Sequence, residues 1–330
     1  MDVDDKEWDS KVEQATGWCH FLQSKEWAEA QQHTPWKPEL TEADGYPLAL
    51  YHRAVPGIGK IYLASKLATM KPDQVSGFTE AIRDKAAGGT LVKIDIDQLY
   101  SQEVHDSLLK QGWIRTPSPN YSDTVLLDLT IGKEELLKSF KKSTRWEINA
   151  GQRRGVKVEK VAVTPENMQV VYHLLSQTYD RAHFFTRGKA FTEAYWKLFD
   201  QTGQVSMFIA SLDGKPLSAA FVIHIGKRAH YKDGASIRVK PDVFASRVMQ
   251  WGIIQYLIEE GIEVYDLGGV WREGSATSGV TLFKTGFGEQ VKLQWGYELP
   301  INRGKYQLWK QFGERLALKH AALVRKELWY

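Results

Sequence analysis

Residues Glu263 to Gly288 read EVYDLGGVWREGSATSGVTLFKTGFG, and their order decides the fold. Val264-Tyr265-Asp266-Leu267 predicts a short buried strand. It breaks at Gly268-Gly269, where the backbone can take a positive φ and approach a ligand closely. A polar loop rich in Ser, Thr and Gly runs from Glu273 to Gly279. The chain turns apolar again at Val280-Thr281-Leu282-Phe283-Lys284 and breaks at Gly286 and Gly288. Alone, a glycine pair is a strand-ending turn and a lysine is a solvated side chain. Together they place a lysine beside a phenylalanine in a glycine-broken segment at a strand end, where α/β folds bind ligands.

Upstream, Phe244 to Glu260 reads as a long apolar-faced helix that delivers the chain to this strand. Before it lies a strand meander, Val205–Leu212, Leu217–Ile225 and Ala229–Ala235, with turns at Asp213-Gly214 and Gly226-Lys227. The same order occurs earlier. Strands are expected at Leu48–Ala54 and Lys60–Ser65, a helix at Lys71–Ala86, and a strand at Thr90–Asp97. Gly45-Tyr46-Pro47-Leu48-Ala49 matches Gly214-Lys215-Pro216-Leu217-Ser218-Ala219, and each helix-fed strand ends in acid, Ile94-Asp95 and Tyr265-Asp266. Two copies of one α/β (α+β) unit with mixed sheets explain this economically.

Around these, Ser24 is an N-cap for a helix from Lys25 to Gln32, and Ser101 caps a helix to Lys110. Thr124–Leu129 is a strand and Thr130–Gly151 one long helix. Helices follow at Pro165–Phe185 and Lys189–Asp200, then a last strand at Val291–Leu299 and a C-terminal helix at Gly304–Lys326. The densest basic run holds Lys133, Lys138, Lys141, Lys142, Arg145, Arg153, Arg154, Lys157 and Lys160. Such a run is usually a solvated face, yet it also suits phosphate binding with salt-dependent affinity.

YDLGG, a polar loop, then LFKxGFG resembles the Fem family of non-ribosomal peptidoglycan-bridge aminoacyltransferases. The likeness runs from about Gln23 to about Trp309 and includes QSxxWA at Gln23. It implies two tandem GNAT-type acyltransferase units: a first of residues 1–130, joined by the helix at 300–330, and a second of 131–299. No charged helical-hairpin arm is found, as in the shorter members. The implied activity moves an amino acid from aminoacyl-tRNA to an amine on the stem peptide of a peptidoglycan precursor, nucleotide- or lipid-linked. The resemblance puts the family's cleft carboxylate on Asp95 and its FK lysine on Lys284, both catalytic, with Phe283 beside it. Arg187 matches an arginine that holds precursor diphosphate, for which its planar fork is suited. Phe191 replaces a following tyrosine, and Tyr231 and Asp233 stand where tyrosines are common. Glu29 replaces a basic residue after the Trp-Ala pair, leaving Lys25 or Lys37 as the substitute phosphate contact. Lys141, Lys142 and Arg145 fall on the segment expected to meet tRNA.

The chemistry needs a neutral amine, a partner for the oxyanion, and a proton for the leaving ribose oxygen. Lys284 suits either the oxyanion or the terminal tRNA phosphate, and Asp95 suits orienting the ammonium and taking its proton.

Composition agrees with a globular protein of about two domains: 330 residues, 43% hydrophobic and 25% charged. A net charge of only +3 means any polyanion is met by a local patch. One cysteine excludes an internal disulfide and a cysteine-based zinc site. The acidic start, MDVDDKEWDSK, lacks the apolar stretch of a signal peptide, and no 18-residue apolar run exists. A cytoplasmic monomer is expected, with at most peripheral membrane contact, and no cofactor or metal. P-loop, HExxH and GxSxG motifs are absent. Two other readings compete: an acyl-CoA-dependent N-acyltransferase of the same fold, and a non-catalytic RNA-binding protein. Against the first, Val239–Ser246 carries a proline and no glycine to cradle pyrophosphate. The second has no need of the Gly268–Gly288 segment.

Overall fold

The computed structural model describes residues 7–182, 188–270 and 278–321. The chain divides into two compact units. One is Met1–Ser122 with Phe185–Tyr195 and Lys292–Tyr330; the other is Asp123–Phe184 with Trp196–Val291. The boundaries expected at 130/131 and 299/300 fall instead at 122/123 and 291/292, and residues 185–195 also group with the first unit.

The first unit opens with helices α1 (Trp8–Thr16) and α2 (Lys25–Ala30). Ser24 caps α2, its hydroxyl accepting from the Trp27 amide at 3.2 Å. A meander of β1 (Lys37–Ala43), β2 (Tyr46–Val55) and β3 (Gly59–Leu67) is followed by α3 (Val75–Lys85) and β4 (Leu91–Ile96). Then come α4 (Gln102–Lys110) and β5 (Ile114–Thr116). The second unit holds β6 (Asp123–Asp128), α5 (Lys133–Ser139), α6 (Lys142–Arg153), β7 (Lys157–Val161) and α7 (Pro165–Ala182). Helix α8 (Lys189–Gln201) is divided between the units after Tyr195. A second meander, β8 (Val205–Leu212), β9 (Lys215–Ile225) and β10 (Arg228–Ser236), leads into α9 (Ala245–Glu259) and β11 (Val264–Asp266). The rest is α10 (Ser278–Lys284), β12 (Gln290–Lys292), β13 (Gly296–Pro300), α11 (Arg303–Leu308) and α12 (Glu314–His320).

The duplication is visible in the sheets. The first has order β1-β2-β3-β4-β13-β5 and the second β12-β6-β11-β10-β9-β8-β7. In each, an antiparallel meander passes through one helix to a parallel strand: β3 beside β4, and β10 beside β11. On its far side that strand meets an antiparallel one, β13 in the first sheet and β6 in the second. The matched Gly-x-Pro-Leu segments start from the same turn. Asp44-Gly45 and Asp213-Gly214 both have positive φ at both residues (51° and 74°, 50° and 75°), as a tight two-residue hairpin requires. Each sheet buries its own core, Tyr46, Phe78, Ile94 and Tyr297 in the first, Phe140, Met249, Tyr265 and Phe287 in the second.

Three expectations change. The long helix at Thr130–Gly151 is two helices, α5 and α6, because Phe140 leaves helical geometry with ψ 153°. That break turns its ring edge-on against Trp251 and Phe287, at 5.8 and 5.2 Å. The strand at Val291–Leu299 is two, and the longer, β13, pairs in the first sheet between β4 and β5 rather than in the second unit. The C-terminal helix bends through a wide π-type turn at Trp309–Gly313. It docks on the first unit through Glu298, which accepts from Tyr306 at 3.0 Å and pairs with Lys93 and Lys310 at 3.1 and 3.2 Å.

Candidate functional site in the second unit

A cavity of about 720 Å³ opens in the second unit where β10 runs out, α9 begins and α10 ends. Tyr231, Arg238, Ser246, Arg247, Phe283 and Lys284 are among its walls. The position follows from the fold. β10 and β11 run parallel, and the segment between β10 and α9 lines the cavity together with Ala245, Ser246 and Arg247 of the first turn of α9. Phe244 enters α9 in the left-handed region, φ 58°, with its amide held by Asp242 Oδ1 at 2.7 Å.

Lys284 is the last residue of α10 and only 8% exposed. Its ammonium donates to the Gly269 carbonyl at 2.8 Å. Burial pushes it down to about 8, although the Asp266 carboxylate pulls the other way. Gly268 sets the turn: at φ 73° it sits where L side chains rarely go. Asp266 fixes the turn. It is fully buried, accepts from the Gly268 amide at 2.7 Å and from Thr124 Oγ1, and faces Arg228 at 3.4 Å and His230 at 3.7 Å. Burial raises its carboxyl, yet Arg228, His230 and these hydrogen bonds together hold it below the usual range.

Arg247 organises the wall formed by α9 and Phe283. Its Nε donates to Glu147 at 2.6 Å and its Nη1 to the Phe283 carbonyl at 2.6 Å. Its guanidinium lies over the Phe283 ring at 4.6 Å. Tyr231 lines the cavity beside Gly234, where a Cβ would fall 1.9 Å from the tyrosine oxygen. A bulge in β10 between Tyr231 and Asp233 separates the two. Asp233 accepts from Trp196 Nε1 at 2.9 Å and from Lys232 at 3.0 Å.

The residues singled out in the sequence therefore divide. Tyr231, Phe283 and Lys284 share one cavity; Asp233 is bound to the α8 tryptophan instead. Asp95, in the first unit, is fully buried. It accepts from the Lys66 amide at 3.0 Å, Ser118 Oγ at 2.8 Å and Asn120 Nδ2 at 3.3 Å. Lys66 itself is buried at φ 54°, 3.6 Å from Asp95 and 3.5 Å from Asp97, with its ammonium on the Tyr121 carbonyl. Asp95 thus ties the β3 bulge to the segment after β5. Phe191 is 5% exposed and packs edge-on against Trp27 at 5.3 Å and against Tyr195. Lys25 opens α2, its amide held by Asp9 at 3.1 Å. Arg187 lies outside the described residues, as does most of the Glu273–Gly279 loop. Lys141 and Lys142 are exposed, whereas Arg145 turns back to the Lys138 and Phe140 carbonyls and closes the end of α5.

No motif marks Arg238, Arg247 or the start of α9, since the segment between the two arginines has no glycine-rich cradle. The signal for Asp266 was present in its pairing with Asp95 as a strand-ending acid. Among the described residues, no group of three metal-binding side chains converges, and no helix is long and apolar enough to cross a membrane.

An acetyltransferase (GNAT) domain family matches residues 138–283, which takes in the cavity walls named above except Lys284. The Lipid II:glycine glycyltransferase of Staphylococcus epidermidis is 20% identical over 268 residues, covering 62% of this chain and 64% of that protein. Its counterpart in Staphylococcus aureus is 21% identical over 273 residues with the same coverage. The chain thus spans somewhat less than two thirds of the curated relatives it matches. Among solved structures, FemX superposes with a TM-score of 0.80 at 19% identity, over 93% of this chain and 98% of that one. The C-terminal domain of a putative lysylphosphatidylglycerol synthetase from Agrobacterium fabrum gives 0.58 at 16% identity, over 95% and 98%.

Proposed function

We propose that the chain is a Fem-type protein of tandem GNAT-fold units and that it transfers an amino acid from aminoacyl-tRNA to an amine on the stem peptide of a peptidoglycan precursor. The glycyltransferase relatives, named for lipid II, support a cell-wall acceptor. One observation carries the reading: a nearly buried lysine, poised at about 8, in a cavity walled by two arginines, three aromatic rings and a helix N-terminus.

The amine attacks the ester carbonyl, a C–N bond forms, and the carbonyl oxygen gains charge. As an ammonium, Lys284 stabilises that oxygen or an adjoining phosphate. Collapse breaks the ester C–O bond; the attacking nitrogen gives up a proton and the ribose oxygen takes one. A lysine near 8 both holds and returns a proton at neutral pH, which an exposed one near 10.5 does poorly. Arg247, braced by Glu147, and the first turn of α9 supply positive potential for the phosphate of the donor's end. In the first unit, the saturated contacts of Asp95 support a positioning role for the loop after β5. Arg187 remains the proposed diphosphate contact.

The test incubates the protein with charged total tRNA and a nucleotide-linked muropeptide and reads mass gain on the muropeptide. Lys284→Met is expected to abolish the gain with the fold intact. The GNAT-domain match favours one second reading, an acyl-CoA donor. Gain from acetyl-CoA without tRNA would select it.

A further inference from the structure

Trp146 is 55% exposed, the largest apolar side chain left in the open on the second unit's described surface. It sits on α6 and is held on one side. Its ring packs edge-on against Phe244 at 5.4 Å, and Phe244 lines the cavity that holds Lys284. Arg154 lies over the other part of this platform, its guanidinium 5.1 Å from the Phe244 ring, anchored on the Asp242 carbonyl. Lys142, four residues before Trp146, and Arg153, seven after it, share its helix face. All of Lys142, Arg153 and Arg154 are exposed. The acids nearby are Glu147, which is spent on Arg247, and Asp242, which holds the Phe244 amide.

An exposed tryptophan costs solvation and is conspicuous on a protein with a polar surface. Flanked by cations and set at the lip of a cavity, it has the composition of sites for unpaired nucleotides: an aromatic face for a base, positive groups for the backbone. We propose that Trp146, with Phe244 and Arg154, forms a stacking platform for a single-stranded RNA base, so that an RNA end lying on α6 directs its terminal nucleotide into the Lys284 cavity. The inference rests on the aminoacyl-tRNA reading and adds to it the residue that grips the unpaired end. A double-helical stem offers no such base, so the platform selects the single-stranded portion.

The experiment uses the full chain and a fluorescein-labelled 12-nucleotide single-stranded RNA ending in ACCA, with anisotropy read across a salt series. Trp146→Ala is expected to weaken binding about tenfold, and Trp146→Phe, which keeps a ring, to restore most of it. Stacking releases no counterions, so the salt slope of Trp146→Ala should equal that of the unaltered protein. Lys142→Glu should flatten that slope. In transfer, Trp146→Ala should raise the KM for charged tRNA with kcat little changed. If the unaltered protein uses charged tRNA and Trp146→Ala matches it in both assays, the platform is wrong and the transfer reading stands. If the unaltered protein neither binds this RNA nor uses charged tRNA, both fall. Since Trp146 is half-exposed, thermal unfolding of the variants should match the parent, which separates lost binding from lost folding.

Discussion

At the scale of single residues, Lys284 is held at odds with its surroundings. Its folded ammonium titrates near 8, below the unfolded value, so burial penalises the cation in full below pH 8 and not at all above about 10.5. Lys284→Met should therefore raise the unfolding free energy by about 2–3 kcal/mol at pH 7, with the gain fading toward pH 10.5. Denaturant titrations at the two pH values check this. Activity should have the opposite dependence, falling as pH rises through about 8 while the ammonium is lost. Asp266 supports that ammonium across the turn. Asp266→Asn should move the alkaline limb of the pH–rate profile to lower pH. It should also cost about 3 kcal/mol, because Arg228 is then left without its buried partner.

At the scale of elements, α1 and α2 meet through acids. Glu26, on α2, is pushed up to about 7 by burial and by Asp9 on α1, with which it shares a hydrogen bond. A carboxyl raised on folding costs stability above its folded value and nothing below its unfolded one. Glu26→Gln should thus stabilise the protein by about 2 kcal/mol at pH 8, and the difference should vanish near pH 4.5, as thermal unfolding at both pH values would show. The elements also show what local sequence could and could not carry. Meander, crossover helix and parallel strand were legible in both halves because period-2 runs, Asp-Gly turns and apolar helix faces are local signals. The Phe140 break was not, because a helix-forming run gives no sign that one ring must leave it to reach Trp251 and Phe287. Nor was the partner of β13, since pairing across some 200 residues leaves no local trace. In the site, Phe283 and Lys284 were legible from their motif, and Arg247 was hidden in a helix start of ordinary composition.

At the scale of the whole molecule, the chain's end completes its beginning. β13 inserts between β4 and β5, with Tyr297 and Leu299 fully buried, and Glu298 pairs with Lys93 beneath the last helices. Ending the chain at Val291 should unfold the first unit, and hydrogen exchange should show loss of protection across β2, β3 and β4 while β8 to β11 stay protected. Uniform protection would mean that β13 is dispensable. The two units repeat one plan but differ in content. The described cavity with its lysine and arginine belongs to the second, while the matching strand-end acid of the first is saturated by Ser118 and Asn120. The measurement that bears most directly on this account is the mass of a nucleotide-linked muropeptide after incubation with the protein and charged tRNA. The account predicts a gain of amino-acid residues that requires the charged tRNA and disappears with Lys284→Met. An equal gain from the Lys284→Met protein, or a gain with acetyl-CoA in place of tRNA, would contradict it.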